Sequence, residues 1–166
     1  MRINTMDNLF VTELSDLYNA EKLIAKILPK MARQATEADL RAAFEDHLKE
    51  TQGQIIRLDH VFALLDEKVL SDKCNALEGL VKEAEDLMKH VTNRAVMDAA
   101  LIAITQKMEH YEIASYGTLC ALGKTLGYTE IIALLHETLE EEKGADEKLT
   151  MIAKSGVNEK AERAIA

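Results

Sequence analysis

The sequence predicts an all-α protein: an antiparallel four-helix bundle with one additional helix in the crossover between its second and third long helices. Three observations carry this expectation. One proline, seven glycines and 4% aromatic residues in a 166-residue chain that is 48% hydrophobic favour helix over strand. Apolar residues recur at helical spacing in five stretches, with no long gap between them. The chain also repeats itself at an offset of 91 residues, so that His47-Leu48-Lys49-Glu50-Thr51-Gln52-Gly53 aligns without a gap on Thr138-Leu139-Glu140-Glu141-Glu142-Lys143-Gly144, and Leu58 falls on Leu149. A duplicated helical hairpin accounts for such a pattern.

The first long helix is expected over residues 7–35, with Phe10, Leu14, Leu17, Ile24, Leu28 and Met31 on one stripe. Pro29 removes the bond to the carbonyl of Ala25, so a bend is expected there. Thr36-Glu37-Ala38-Asp39 reads as a tight turn carrying a capping residue. The second helix follows to about residue 66, on a stripe of Leu40, Phe44, Leu48, Ile55, Leu58, Phe62 and Leu65. A longer connection holds an amphipathic crossover helix over residues 75–90, with Leu77, Leu80, Val81, Ala84, Leu87 and Met88 as its apolar face. The third long helix, residues 95–126, ends at Gly127, which accepts the left-handed conformation required after a helix. Thr129 is read as the cap of the fourth, which runs to about Ser155. The charged tail, residues 156–166, is expected to fray or to serve a peripheral contact. All of this fits one domain, residues 1–166, long enough to bury a core.

A net charge of −9 and an isoelectric point near 5.1 argue against nucleic acid or an anionic membrane as partner, because both require clustered Lys and Arg. The N-terminus lacks the pattern of a secretory signal, and the most apolar segment, Ala99 to Ile104, is too short to span a bilayer. A cytoplasmic protein is expected. Cys74 and Cys120 form neither a zinc pattern nor a disulfide framework and read as reduced core residues.

The repeat also places chemistry. Glu21 and Glu50 are 29 residues apart, as are Glu112 and Glu141, and the midpoints of the two pairs fall in the two expected hairpin turns. Each glutamate then lies roughly 20 Å from its turn, at a rise of about 1.5 Å per residue, and so well inside the bundle. Leu17, Ile24 and Leu28 flank Glu21; Met108, Ser115 and Leu119 flank Glu112; Leu134, Ala145 and Leu149 flank Glu141. Glu50 shares its face with His47 and Gln54. A glutamate on a helical protein is ordinarily a solvated surface residue, but four inward carboxylates at symmetry-related positions repel one another unless a cation, protons or hydrogen-bond donors accompany them. A dinuclear metal site in the bundle core and a protonated polar cluster are the two arrangements that satisfy this. Glu140 and Glu142 flank the repeat position and read as a solvated charge run. Tyr18 occupies in the first repeat the position that Glu109 holds in the second, which brings its hydroxyl within reach of the carboxylates as a hydrogen-bond donor.

Ala20-Glu21-Lys22, His47 through Gln54, Glu109-His110-Tyr111-Glu112-Ile113-Ala114 and Leu139-Glu140-Glu141-Glu142-Lys143 resemble the ferritin-like superfamily. More narrowly, the whole chain resembles the YciF-like family of small bacterial stress-associated proteins. Glu109 followed by Tyr116 is similar to the E-x6-Y element of rubrerythrins, and Glu109 with Glu112 to their E-x-x-E. The resemblance implies a ferritin-like bundle, a homodimer, Glu109 as a further metal ligand, Tyr116 as a hydrogen-bond donor behind the ligands, and two iron or manganese ions as the cofactor. The sequence departs from the pattern at Gly53 and Gly144, where ferritin-like di-metal proteins carry the histidines of E-x-x-H. Gln54 and His47 are the residues available to replace them. A site made of carboxylates and water suits Mn(II), Mg(II) or Ca(II) better than redox iron. Two functions follow: a metal-dependent protein acting on peroxide, dioxygen or the metal itself, and a metal-free, non-catalytic bundle serving as a dimeric structural or interaction module. Whether the protein is an enzyme stays open at this point.

Overall fold

The computed structural model describes residues 3–71 and 73–164. Four long helices form the bundle: α1 (Met6–Gln34), α2 (Ala38–Leu65), α4 (Arg94–Leu126) and α5 (Thr129–Ile152), with α3 (Asn75–His90) in the crossover between α2 and α4. A wide π-turn, Ala153–Val157, leads into a short α6 (Asn158–Arg163). Helices α1 and α2 pair across one tight turn and α4 and α5 across the other, while α1 also packs on α4 and α2 on α5. The two expected hairpins are therefore stacked face to face.

The buried residues explain why these segments meet. Phe10, Leu14, Leu17, Glu21, Ile24, Leu28 and Met31 of α1 are buried at alternating spacings of four and three. So are Leu40, Phe44, His47, Thr51, Gln54, Leu58 and Val61 of α2. That is the seam of knobs-into-holes packing between nearly aligned helices. In both helices the apolar seam is interrupted midway by polar residues, at the same depth in the bundle.

Several ends differ from the sequence reading. Helix α1 is continuous to Gln34 with Pro29 inside it. At the start of α2, Glu37 is the cap residue, and neither it nor Thr36 supplies a side-chain cap. The buried carboxylate of Asp98, from α4, does so instead: it accepts from the backbone amides of Thr36 at 2.7 Å and Glu37 at 3.2 Å, and from the Thr36 hydroxyl. A carboxylate held there also opposes the positive end of the helix dipole. Thr129 is the first residue of α5 rather than its cap, which is Tyr128. Gly127 terminates α4 with φ 79°, as its position in the sequence requires. Helix α5 ends three residues earlier than expected, at Ile152, and the tail turns through Gly156 at φ 120° to lay α6 against α4. Asn93 donates to the carbonyl of Ala164 and Lys160 pairs with Glu37, so the tail contacts the bundle as far as residue 164, its last two residues lying outside the described ones.

The crossover is tied to α1 by polar contacts. Leu70 accepts from Asn19 through its carbonyl and donates to the Ser15 hydroxyl. Buried Cys74 and the Tyr111 hydroxyl both reach Asp16. Leu77 and Ala84 then bury α3 against α1 and α4. Among the described residues no helix is long and apolar enough to cross a membrane.

Candidate metal centre

Six polar side chains converge where the apolar seams break: Glu21 from α1, His47 and Gln54 from α2, Glu109 and Glu112 from α4, and Glu142 from α5. All are at most 5% exposed. One ligand atom from each of His47, Glu109, Glu112 and Glu142 lies within 4.8 Å of the others. Donors on opposite sides of one ion stand about 4 Å apart when each metal–ligand bond is about 2.1 Å, so small side-chain rotations suffice to close this group on a cation. His47 Nε2 is 3.3 Å from Glu109 Oε1. Glu21 stands beside Glu112 and accepts a 2.5 Å hydrogen bond from the Tyr116 hydroxyl, which is itself fully buried.

In their ionised form these carboxylates are unfavourable together unless a cation or protons accompany them. Burial pushes Glu21, Glu109 and Glu112 well above the usual carboxylate range, and the neighbouring charge of Glu142 pushes the same way. Burial raises Glu142 too, against opposition from His47. Burial and the charge of Glu21 likewise raise the Tyr116 phenol, which stays a neutral donor. Among the described residues, the buried side-chain polar atoms without a hydrogen-bond partner are Glu21 Oε2, both nitrogens of His47, Gln54 Oε1, Glu109 Oε2, both oxygens of Glu112, and Glu142 Oε2. Every one belongs to this cluster. Buried polar atoms are normally paired, because leaving one bare costs about 1–3 kcal/mol.

Of the residues the sequence singles out, Glu21, Glu109, Glu112 and Tyr116 are buried and brought together. Glu50 is not: its side chain is 48% exposed, with Oε2 3.7 Å from His47 Nδ1, and His47 holds its carboxyl below the usual range. It stands behind the imidazole, where metal-ligating histidines keep a carboxylate that orients the ring. Glu141 is also displaced from the cluster. Arg57 grips it with two hydrogen bonds, at 2.9 and 3.0 Å, and also binds Glu137 and Thr138. The buried acid of α5 is Glu142, one residue further on, which the sequence reading left in the solvated run. Ile131, Leu135, Thr138, Glu142, Leu149 and Ile152 are buried in the alternating four-and-three pattern, whereas Glu141 lies one position off it. Gln54 sits inside the cluster and donates to Glu142 and, at 3.1 Å, to Glu141, so it ties the acid to its ion-paired neighbour. Tyr18 turns away: its hydroxyl bonds Asp59 at 2.8 Å and Lys22 lies over its ring. His110 and His136 are exposed and pair with Asp146 and Glu140, as surface residues do.

The duplication is thus kept on α1 and α4, where Glu21 and Glu112 match, and broken on α2 and α5. His47 aligns with Thr138, and Thr51 with Glu142. One imidazole reaches the cluster from α2 by a route other than the E-x-x-H position. The glycines at those positions do not serve close helix approach, for a Cβ at Gly53 or Gly144 would meet nothing within 4 Å.

A bundle of four long helices with acids from α1, α4 and α5 and a histidine from α2 turned into its middle defines a ferritin-like protein of the carboxylate-cluster type. Within that class the chain belongs to the family described as a domain of unknown function, DUF892, whose profile matches residues 5–162. It is 48% identical over 163 residues to protein YciF of Escherichia coli strain K12, covering 98% of each chain. The solved structure of the E. coli stress protein YciF superimposes with a TM-score of 0.90, covering 94% of this chain and 99% of that one at 48% identity. YcfI from Rhodopseudomonas palustris gives a TM-score of 0.87 at 47% identity, covering 89% of this chain and 94% of that one. A Xanthomonas campestris protein at 23% identity, with a TM-score of 0.78, shares the fold, covering 98% of this chain and 100% of that one.

Proposed function

We propose that this protein holds two iron or manganese ions in the carboxylate cluster and uses them to protect the cell against peroxide or metal stress. The observation that carries the reading is the set of buried polar atoms without partners, all gathered at one site. Four ionised carboxylates, Glu21, Glu109, Glu112 and Glu142, sum to −4, which two divalent cations balance. Carboxylate oxygens suit Mn(II) and the imidazole of His47 suits iron, so the donor set fits both. The structural likeness to a bacterial stress protein supports the physiological part.

In this reading His47, Glu109, Glu112 and Glu142, with Glu21 beside Glu112, would hold the ions. Two bound redox ions would supply an electron each to a peroxide O–O bond. The protein's own part is to fix the ligands and the protons. Tyr116 keeps one oxygen of Glu21 occupied and turns the other inward, Gln54 holds Glu142 in register, and Glu50 orients the His47 ring. Burial of the cluster side chains keeps most bulk water from them. Formation of a homodimer belongs to the same reading, and Ile56, 70% exposed on α2, is apolar surface for it to cover; light scattering behind size exclusion checks the mass.

The test is peroxide-dependent oxidation of Fe(II) or Mn(II) by the metal-loaded protein, compared with Glu112→Ala and His47→Ala. The reading expects both variants to lose at least tenfold in rate. Equal rates in all three contradict it and favour a non-catalytic bundle.

A further inference from the structure

Between α2 and α5 the bundle is open. A cavity of about 220 Å³ runs inward there from a charged rim of Glu50, Glu140, Glu141 and Lys148, and ends on His47 and Glu109. Its walls are largely apolar, formed by Ala43, Phe44, Ala145 and Leu149 with Thr105, whose hydroxyl is turned to the Leu101 carbonyl. Gly144 lies on the wall, and the space a side chain would fill is empty.

The size and lining are informative together. Passage of water, hydrogen peroxide or a metal ion needs room for about one water-sized probe, roughly 10–15 Å³, with polar partners along the way. A cavity of roughly 150 Å³ with apolar walls accommodates benzene. The space here is larger, its walls offer hydrophobic contact, and apart from Thr105 its polar groups stand at the rim and at the inner end. Pockets built in this way bind molecules with an apolar body and orient them by one polar group. The inner end also limits the head group. Glu109 there, with Glu50, Glu140 and Glu141 at the rim, repels an anion, and a cation competes with the metal ions for the cluster carboxylates. A neutral head able both to accept and to donate a hydrogen bond matches the inner end, where Glu109 Oε2 lacks a hydrogen-bond partner beside the His47 ring.

We infer that the cavity between α2 and α5 is a substrate pocket for a small organic hydroperoxide, with the apolar body against Phe44 and Leu149 and the peroxide head at His47 and Glu109. The choice of hydroperoxide among neutral head groups rests on the peroxide-directed function proposed above; the pocket and its preference for an apolar body do not. Gly144, at the position where ferritin-like proteins carry a ligand histidine, then has a role of its own: it keeps the pocket open.

The redox-inert alcohol 2-phenylpropan-2-ol, the hydroxyl counterpart of an aryl-alkyl hydroperoxide, serves as probe. Its binding is followed by calorimetry in metal-free and Mn(II)-loaded protein, and by the His47 ring resonances in the metal-free protein, for the natural sequence and for Gly144→Leu. Leucine at this position projects into empty space and favours helix, so melting temperature and metal content should be unchanged, while the affinity for the alcohol falls at least tenfold. Saturable binding that shifts His47 and is lost in Gly144→Leu supports the pocket. Absence of saturable binding to the natural sequence, or equal binding to Gly144→Leu, overturns it. Protein that binds the alcohol but takes up no metal supports the pocket while refuting the metal centre, so the two readings fail separately.

Discussion

Single residues decide which acids are buried in the cluster. Glu141 and Glu142 are neighbours, yet one is held by Arg57 at the surface and the other is buried among carboxylates. Glu142→Gln should weaken Mn(II) binding at least tenfold. Glu141→Gln should leave Mn(II) affinity within about twofold, and calorimetric titration of the two variants separates these outcomes; equal losses would return Glu141 to the ligand set. Tyr116 is a second sharp case. Tyr116→Phe bares a buried oxygen of Glu21, at a cost of about 1–3 kcal/mol in metal-free protein. For a chain of this length that is a fall of roughly 2–4 °C in melting temperature per kcal/mol. At this scale the sequence was partly legible. Glu21, Glu109 and Glu112 stood out because acids at matched positions between apolar neighbours are conspicuous. Glu142 was hidden because alignment of the repeats favoured position 141, although Leu135, Glu142 and Leu149 are seven residues apart and mark the buried seam. His47 was noticed as a neighbour of Glu50, whereas the structure reverses their ranks.

At the level of helices, the seams of α1 and α2 show what apolar spacing reveals and what it hides. A helix read from apolar residues alone passes over polar core residues, so α2 was traced through Leu48 and Ile55 when His47, Thr51 and Gln54 are the buried set. Turns resolved less well for a different reason. The cap of α2 comes from Asp98, sixty-two residues after Thr36, and no local pattern around Thr36 announces it. Asp98→Ala removes a buried carboxylate that holds two backbone amides and a hydroxyl. Charge-assisted hydrogen bonds contribute about 1.5–3 kcal/mol each at most, so a loss of about 2–4 kcal/mol is expected, measurable by urea denaturation. Thr36→Ala, which keeps both amide bonds, should cost clearly less. Equal costs would mean that the hydroxyl, not the helix end, is what Asp98 serves.

For the whole molecule, metal, protons and stability are linked. The cluster carboxylates of the metal-free fold have raised pKa values, so between the ordinary glutamate value of 4.5 and their raised values the folded state binds more protons than the unfolded chain. Their contribution to stability is therefore greatest below that window and is lost as pH rises through it. Metal-free protein should melt at a lower temperature at pH 8 than at pH 5.5, and Glu112→Gln with Glu142→Gln together should shrink the difference. Bound divalent ions replace those protons, so added Mn(II) should stabilise most at the higher pH. Calorimetry at the two pH values, with and without Mn(II), checks the direction. The bundle itself was plain from composition, periodicity and the repeat, since each reports on helix faces over many residues. Its opening between α2 and α5 was not, because a cavity is a property of the packed assembly and Gly144 alone does not reveal it.

The central claim is that the buried acids exist to hold metal, and the most direct measurement is the metal content and position in the natural protein. Crystals of protein purified without an affinity tag and exposed to Mn(II), measured at wavelengths on either side of the manganese absorption edge, should show two anomalous peaks per chain among Glu21, His47, Glu109, Glu112 and Glu142. Glu112→Gln should lose at least one of them. Folded protein showing no peak in the cluster, with elemental analysis finding less than about a tenth of an equivalent of any transition metal, would contradict the account and leave a protonated carboxylate core in its place.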